Sequence, residues 1–116
     1  MTELLEPLFP TSAVTGPIFI LAGFLMQKFP PKKVNMLYGY RTESSMRSQE
    51  RWDFAQKYSS REMIKLGVLL LLSSGLGLIV DVSKKVAVFV GLGFLILVAV
   101  VLIVRTEKAI KSRFPE

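Results

Sequence analysis

"VAVFVGLGFLILVAVVLIV", Val86 to Val104, is nineteen consecutive residues without a charge or a hydrogen-bonding side chain. A helix rises about 1.5 Å per residue, so a run of this length crosses about 30 Å of hydrocarbon. With this stretch read as a transmembrane helix, the rest of the chain is read against a bilayer. The hydrophobic fraction of 51% in 116 residues is too high for an ordinary soluble domain of this size. Leu66 to Val80 is uncharged for fifteen residues. It becomes long enough to span if the helix begins near Arg61 and Lys65 extends its ammonium towards the headgroups. Leu8 to Gln27, "LFPTSAVTGPIFILAGFLMQ", is uncharged over twenty residues but interrupted by Pro10 and Pro17. Proline removes a backbone donor, so Pro17 is expected to mark a kink or a late helix start.

These runs predict one all-α membrane domain over residues 1–116, with spans at about 8–28, 61–80 and 86–104 and a loop over about 29–60. Glu3 and Glu6 precede the first run with no Lys or Arg and no A-x-A-like cleavage site follows, so that run is read as retained. The loop from Lys28 to Lys65 holds nine Lys/Arg against four Asp/Glu, and the tail from Arg105 holds four against two. Basic residues gather on the cytoplasmic side, which puts the loop and the C-terminus inside the plasma membrane and the N-terminus outside. Three spans require the same arrangement. The net charge of +6 then reflects topology and anionic lipid rather than nucleic acid.

The polar loop divides at Thr42. "KFPPKK" cannot continue a helix, and Gly39 between Tyr38 and Tyr40 is free to take a positive φ. Thr42 followed by Glu43 reads as a helix start, giving a short interfacial helix from about Glu43 to Tyr58. At helical spacing Ser45, Ser48, Trp52, Ala55, Ser59 and Glu62 share one side, a narrow stripe centred on Trp52. "SSRE", Ser59 to Glu62, fits a capping box from which the second span would begin afresh; one continuous helix from Glu43 to Val80 is the alternative. In the second span Ser73 and Gly77 stand four apart, a small-xxx-small spacing suited to helix packing or self-association.

Little catalytic chemistry is available. Cysteine and histidine are absent, which removes disulfides, thiolates and the commonest metal ligand and general base. Glu50 and Asp53 could share a face, but Arg47, Arg51 and Lys57 stand three or four residues away and ordinary ion pairs account for them. No motif organises the serines at 44, 45, 48, 59 and 60 around a lysine. The reading is a protein that is not an enzyme and carries no cofactor or metal. Asn35, Tyr38, Tyr40 and Arg41 instead supply an amide, two amphipathic rings and a guanidinium, suited to a carboxylate, a phosphate or the membrane interface.

"PPKKVNMLYGYRTESSMRSQERWDFAQKYS", Pro30 to Ser59, resembles the signature of the SdpI family of bacterial membrane proteins: a Pro/Asn segment, a G-x-R-T core, a Ser-rich step and a Trp about ten residues on. Asn35, Gly39, Arg41, Thr42 and Trp52 match by type and spacing, while Gln56 stands where the family usually shows an asparagine. The resemblance implies immunity against a secreted, membrane-active peptide toxin. It also implies recruitment of a small transcriptional repressor to the membrane as cytoplasmic partner. On that footing the segment from Asn35 to Trp52 would hold an amphipathic peptide or membrane lipid, with Arg41 pairing an acidic group and Trp52 and the tyrosines packing the apolar part. Alternatively Arg41 and Asn35 turn inward onto carbonyls of the first span, and the motif is structural. A lipid-interacting module without toxin specificity is the other class of function, and a homo-oligomer through the Ser73 face is expected.

Overall fold

The computed structural model describes residues 9–35 and 37–115. Within them lie three α-helices and no strand: α1 (Pro10–Lys28), α2 (Gln49–Ser74) and α3 (Lys84–Arg113). A 3-10 turn, Gly75–Leu78, follows α2. Glu3, Glu6 and the start of the first apolar run at Leu8 fall outside the described residues.

Helix α1 begins with Pro10 in its first turn, where the missing N–H costs no hydrogen bond, and it continues through Pro17. The late start expected at Pro17 is therefore corrected. The loop helix is corrected as well. Thr42 caps only a turn, its carbonyl accepting from Met46 N at 3.0 Å, and the chain then extends at Ser48 (φ −154°, ψ 162°). Ser48 Oγ accepts from Arg51 N at 3.1 Å, and α2 runs unbroken from Gln49 for 26 residues. The short helix does not stand alone but forms the first turns of α2. No capping box interrupts it: Ser59 Oγ donates to Gln56 O within the helix, and the Glu62 carboxylate is taken by Arg105 Nε from α3 and by Lys65 Nζ at 3.6 Å.

The three helices pack in alternating directions, α2 running against α1 and α3. Phe9 N donates to Ser74 O at one end of the α1–α2 pair, and Gly23 lies against Ser60 nearer the other. Their backbones meet closely because glycine stands at the crossing points. A Cβ on Gly16 would stand 2.9 Å from Gly67 O, one on Gly23 2.5 Å from Ser60 O, and one on Gly67 2.7 Å from Gly16 O. Such small-residue seams are how helices associate in lipid, where apolar side chains gain nothing by leaving the solvent. Ser73 bonds Leu70 O within α2, and Gly77 lies in the 3-10 turn, so the two do not share one α-helical face.

The interior mixes small hydroxyl residues with a few large side chains such as Trp52, Leu70 and Ile110, and the exterior is greasy. Ser12, Ser59, Ser60, Ser74 and Thr106 are buried, whereas Ile18, Leu21, Phe24, Leu72, Phe89, Ile96 and Leu97 are exposed. A soluble protein of this size does not present such continuous apolar surface to water. Helices α1 and α3 are each long and apolar enough to cross a membrane, and only 11% of the most apolar stretch of α3 is buried. Helix α2 is different along its length: charged up to Lys65, apolar from Leu66 to its end.

Candidate functional site

The connection between α1 and α2 is folded tightly against the end of the bundle that carries the charges. It is built from the inside out by α2. Trp52 is fully buried and its indole N–H donates to Pro31 O at 2.6 Å, fixing the proline segment where it leaves α1. One turn on, the buried amide of Gln56 holds Tyr40 by both backbone groups: Oε1 accepts from Tyr40 N and Nε2 donates to Tyr40 O, each at 2.7 Å. The side chain thus pairs with the loop as a neighbouring β-strand would. Gly39 precedes this clamp with φ +102°, and a Cβ there would stand 2.5 Å from Gln56 Oε1 and 2.7 Å from Pro31 Cγ. Glycine is required both by the backbone and by the space.

Asn35 nucleates the turn before it, Oδ1 accepting from Leu37 N at 2.9 Å and Tyr38 N at 2.8 Å, and Nδ2 donating to Lys33 O. Tyr38 then turns back on α1. Its hydroxyl donates to Phe29 O at 2.8 Å, a carbonyl just past the end of the helix, and lies 3.3 Å from Leu25 O, which already accepts from Phe29 N at 2.7 Å. Asn35, foreseen to turn onto the first span, bonds within its own turn instead, and it is Tyr38 that reaches the carbonyls of α1.

Helix α3 holds the far side of the loop through one carboxylate. Glu107 accepts from Tyr40 Oη at 2.8 Å, Thr42 Oγ1 at 2.9 Å and Ser44 Oγ at 2.7 Å. Partial burial pushes the Glu107 carboxyl towards protonation, but the donors from Ser44, Tyr40 and Thr42 and the charge of Lys111 outweigh it and hold it below the usual range. Burial first, and the Glu107 hydrogen bond second, push the Tyr40 hydroxyl above its ordinary value, so it stays a donor. Sequence reasoning passed over Glu107. No local signal marked it: Ser44 comes beside Tyr40 and Thr42 only because the chain turns at residues 42–46, where Met46 N donates to Thr42 O.

Above this loop opens a cleft of about 570 Å³ between α1 and α3. Ala22, Leu25, Met63, Ala99, Leu102 and Ile103 make it apolar, and Tyr38 to Thr42 close one end, bringing Arg41 to its lining. The structure therefore joins Tyr38, Gly39, Tyr40, Arg41 and Thr42 at one cleft, and withdraws Trp52 and Gln56 beneath it as supports. Among the described residues no group of acidic side chains is arranged to hold a metal.

The model of the SdpI/YfhL protein family matches residues 32–112, from just after Pro31 to the last turn of α3. The chain belongs to this family. YfhL, an uncharacterized protein of Bacillus subtilis (strain 168), is 37% identical over 101 residues, spanning 87% of this chain and 86% of its own. No solved structure matches the chain. In this SdpI/YfhL protein the loop, α2 and Glu107 all lie within the matched region, whereas α1 lies before it.

Proposed function

We propose that this SdpI-like membrane protein confers immunity to a membrane-active peptide toxin, and that the cleft beside Arg41 receives the peptide. The observation that carries the reading is the cleft itself: an apolar trough opening between two lipid-facing helices, with a guanidinium at its charged end. An amphipathic peptide has the matching chemistry, apolar side chains for the trough and a carboxylate for Arg41. The chain crosses the membrane three times in this reading, with the second crossing from about Arg61 through the 3-10 turn, N-terminus outside and C-terminus in the cytoplasm. The protein acts by capture and not by catalysis. Its cytoplasmic loop is the surface on which a small repressor would dock, and the exposed apolar face of α3 is where copies would meet.

The test is survival of a toxin-sensitive bacterium expressing the wild type, Arg41→Ala or Ala99→Phe, the last filling the cleft. The expected result is protection by the wild type and its loss in both variants at equal membrane abundance. Failure of the wild type to protect against any membrane-active peptide tried removes the proposal.

A second reading, a lipid-binding module, is favoured by the inward bonding of the signature. Gly39, Trp52 and Gln56 are consumed in holding the loop, which suits a permanent scaffold as well as a receptor.

A further inference from the structure

On the other side of the loop from the apolar trough, a second cleft of about 640 Å³ lies between the end of α1 and the first turns of α2. Its polar residues are arranged differently from anything the signature requires. Lys57 and Arg61 stand one turn apart on α2, and Lys32 approaches from the loop. Asp53 is the acid that lines it, and its Oδ1 already accepts from Gln49 Nε2 at 2.8 Å. Among the described residues no carboxylate lies within ion-pair distance of Lys32, Lys57 or Arg61. Three cations against one engaged acid leave the cleft positive. Its remaining wall is uncharged: Met26, Pro30 and Pro31 are apolar, and Gln27, Gln56 and Ser60 are neutral polar groups.

We infer that this cleft is a headgroup site for one anionic phospholipid. The chemistry it recognises is a phosphate ester: Arg61 presents a planar fork suited to two phosphate oxygens, and Lys57 and Lys32 add point charges from two sides. Its place selects the lipid as the source of that phosphate. The cleft begins where α1 stops being apolar, at Gln27 and Lys28, which is the depth of headgroups. Met26 and the two prolines then meet the glycerol end of a lipid whose chains run up the exposed face of α1. A free phosphate ion has no use for that wall. The volume lies within the range of about 300–1,000 Å³ found for small-molecule sites. The inference rests on the protein being in a membrane and not on immunity, so it stands or falls separately from the peptide cleft.

The experiment uses the full chain in phosphatidylcholine bilayer discs doped with phosphatidylglycerol. Extraction into mild detergent and native mass spectrometry then count the retained lipid. The wild type is expected to retain one phosphatidylglycerol in preference to phosphatidylcholine. Each cation removed is expected to lower that retention roughly fivefold, the factor that corresponds to about 1 kcal/mol per basic residue at an anionic surface. Lys57→Gln/Arg61→Gln is compared with Lys84→Gln/Lys85→Gln, which makes the same charge change at the start of α3. An equal drop in both pairs means non-specific attraction and overturns the site. Displacement of the lipid by millimolar inorganic phosphate overturns the lipid as ligand. Fluorescence of Trp52 verifies folding. Should the double variant unfold, Lys32→Gln alone puts the same question from a different segment: a roughly fivefold loss supports the site, and unchanged retention overturns it.

Discussion

Replacing Gly39 with alanine tests the loop architecture at its tightest point. The new methyl carbon would occupy space 2.5 Å from Gln56 Oε1, 2.7 Å from Pro31 Cγ and 3.2 Å from Gln56 Cδ. An L-residue at φ +102° adds backbone strain of about 1–3 kcal/mol. The amide of Gln56 must also withdraw, giving up two hydrogen bonds to Tyr40 worth about 1 kcal/mol each. The sum, about 3–5 kcal/mol, is a shift of roughly a hundredfold or more in the equilibrium between docked and undocked loop. Trp52 is the one tryptophan of the chain and is buried against Pro31, so its fluorescence reports undocking directly. Denaturing-detergent titration of micellar protein should show the midpoint for Gly39→Ala well below that of wild type. Gly93→Ala, where nothing lies within 4 Å, should stay within about 0.5 kcal/mol of wild type. The variants also couple: if Gln56 is the obstacle, Gly39→Ala/Gln56→Ala costs less than the two single changes added. A Gly39→Ala protein as stable as Gly93→Ala would refute the reasoning.

Glu107→Gln should loosen the attachment of the loop to α3 by about 1–3 kcal/mol, read as faster amide hydrogen exchange over residues 40–45. Because the folded carboxyl titrates below its unfolded value, its contribution is complete above about pH 5 and is lost as pH falls through the lowered pKa; in Glu107→Gln that acid-dependent phase should vanish. Gly23→Val should separate α1 from α2, since the added carbons meet the Ser60 carbonyl; the expected loss is at least about 1–3 kcal/mol, measured in the same titration. Tyr38→Phe leaves the Phe29 carbonyl without the Tyr38 hydroxyl and should cost about 0.5–1.5 kcal/mol with fraying confined to the last turn of α1, seen by hydrogen exchange.

Much of this arrangement could be read from residue order alone, and the reason is local. The positive φ of Gly39 and the helical stripe of Trp52, Ala55, Ser59 and Glu62 depend on neighbours within a few positions, and the structure buries these four, while Ser45 and Ser48, read as part of the same stripe, lie before the helix. Helix boundaries were harder because Thr42 and Ser48 are both good caps. The choice between them involves Glu107, 65 residues beyond Thr42, which draws the hydroxyls of residues 40, 42 and 44 aside before a helix can start. Ser59 to Glu62 has the letters of a capping box, yet a helix already in progress has no open N–H groups for it to satisfy. Glu62 instead answers Arg105, 43 residues on. The glycine seam was missed for the same reason: Gly16 meets Gly67, and Gly23 meets Ser60, only when two helices cross.

Two of the attachments of α3 differ in kind. The loop is tied to Glu107 by three uncharged hydroxyl groups, while α2 is tied to α3 by Arg105 and Glu62, a pair of full charges with the arginine side chain 56% exposed. Dissolved ions screen a contact between charges at the surface but act weakly on neutral donors packed against a carboxylate. Ionic strength therefore acts on one hinge and spares the other. In concentrated salt the Arg105–Glu62 tie weakens while the hydroxyl bonds to Glu107 persist, and because Trp52 and Gln56 clamp the same loop to α2, the loop still joins α3 to α2.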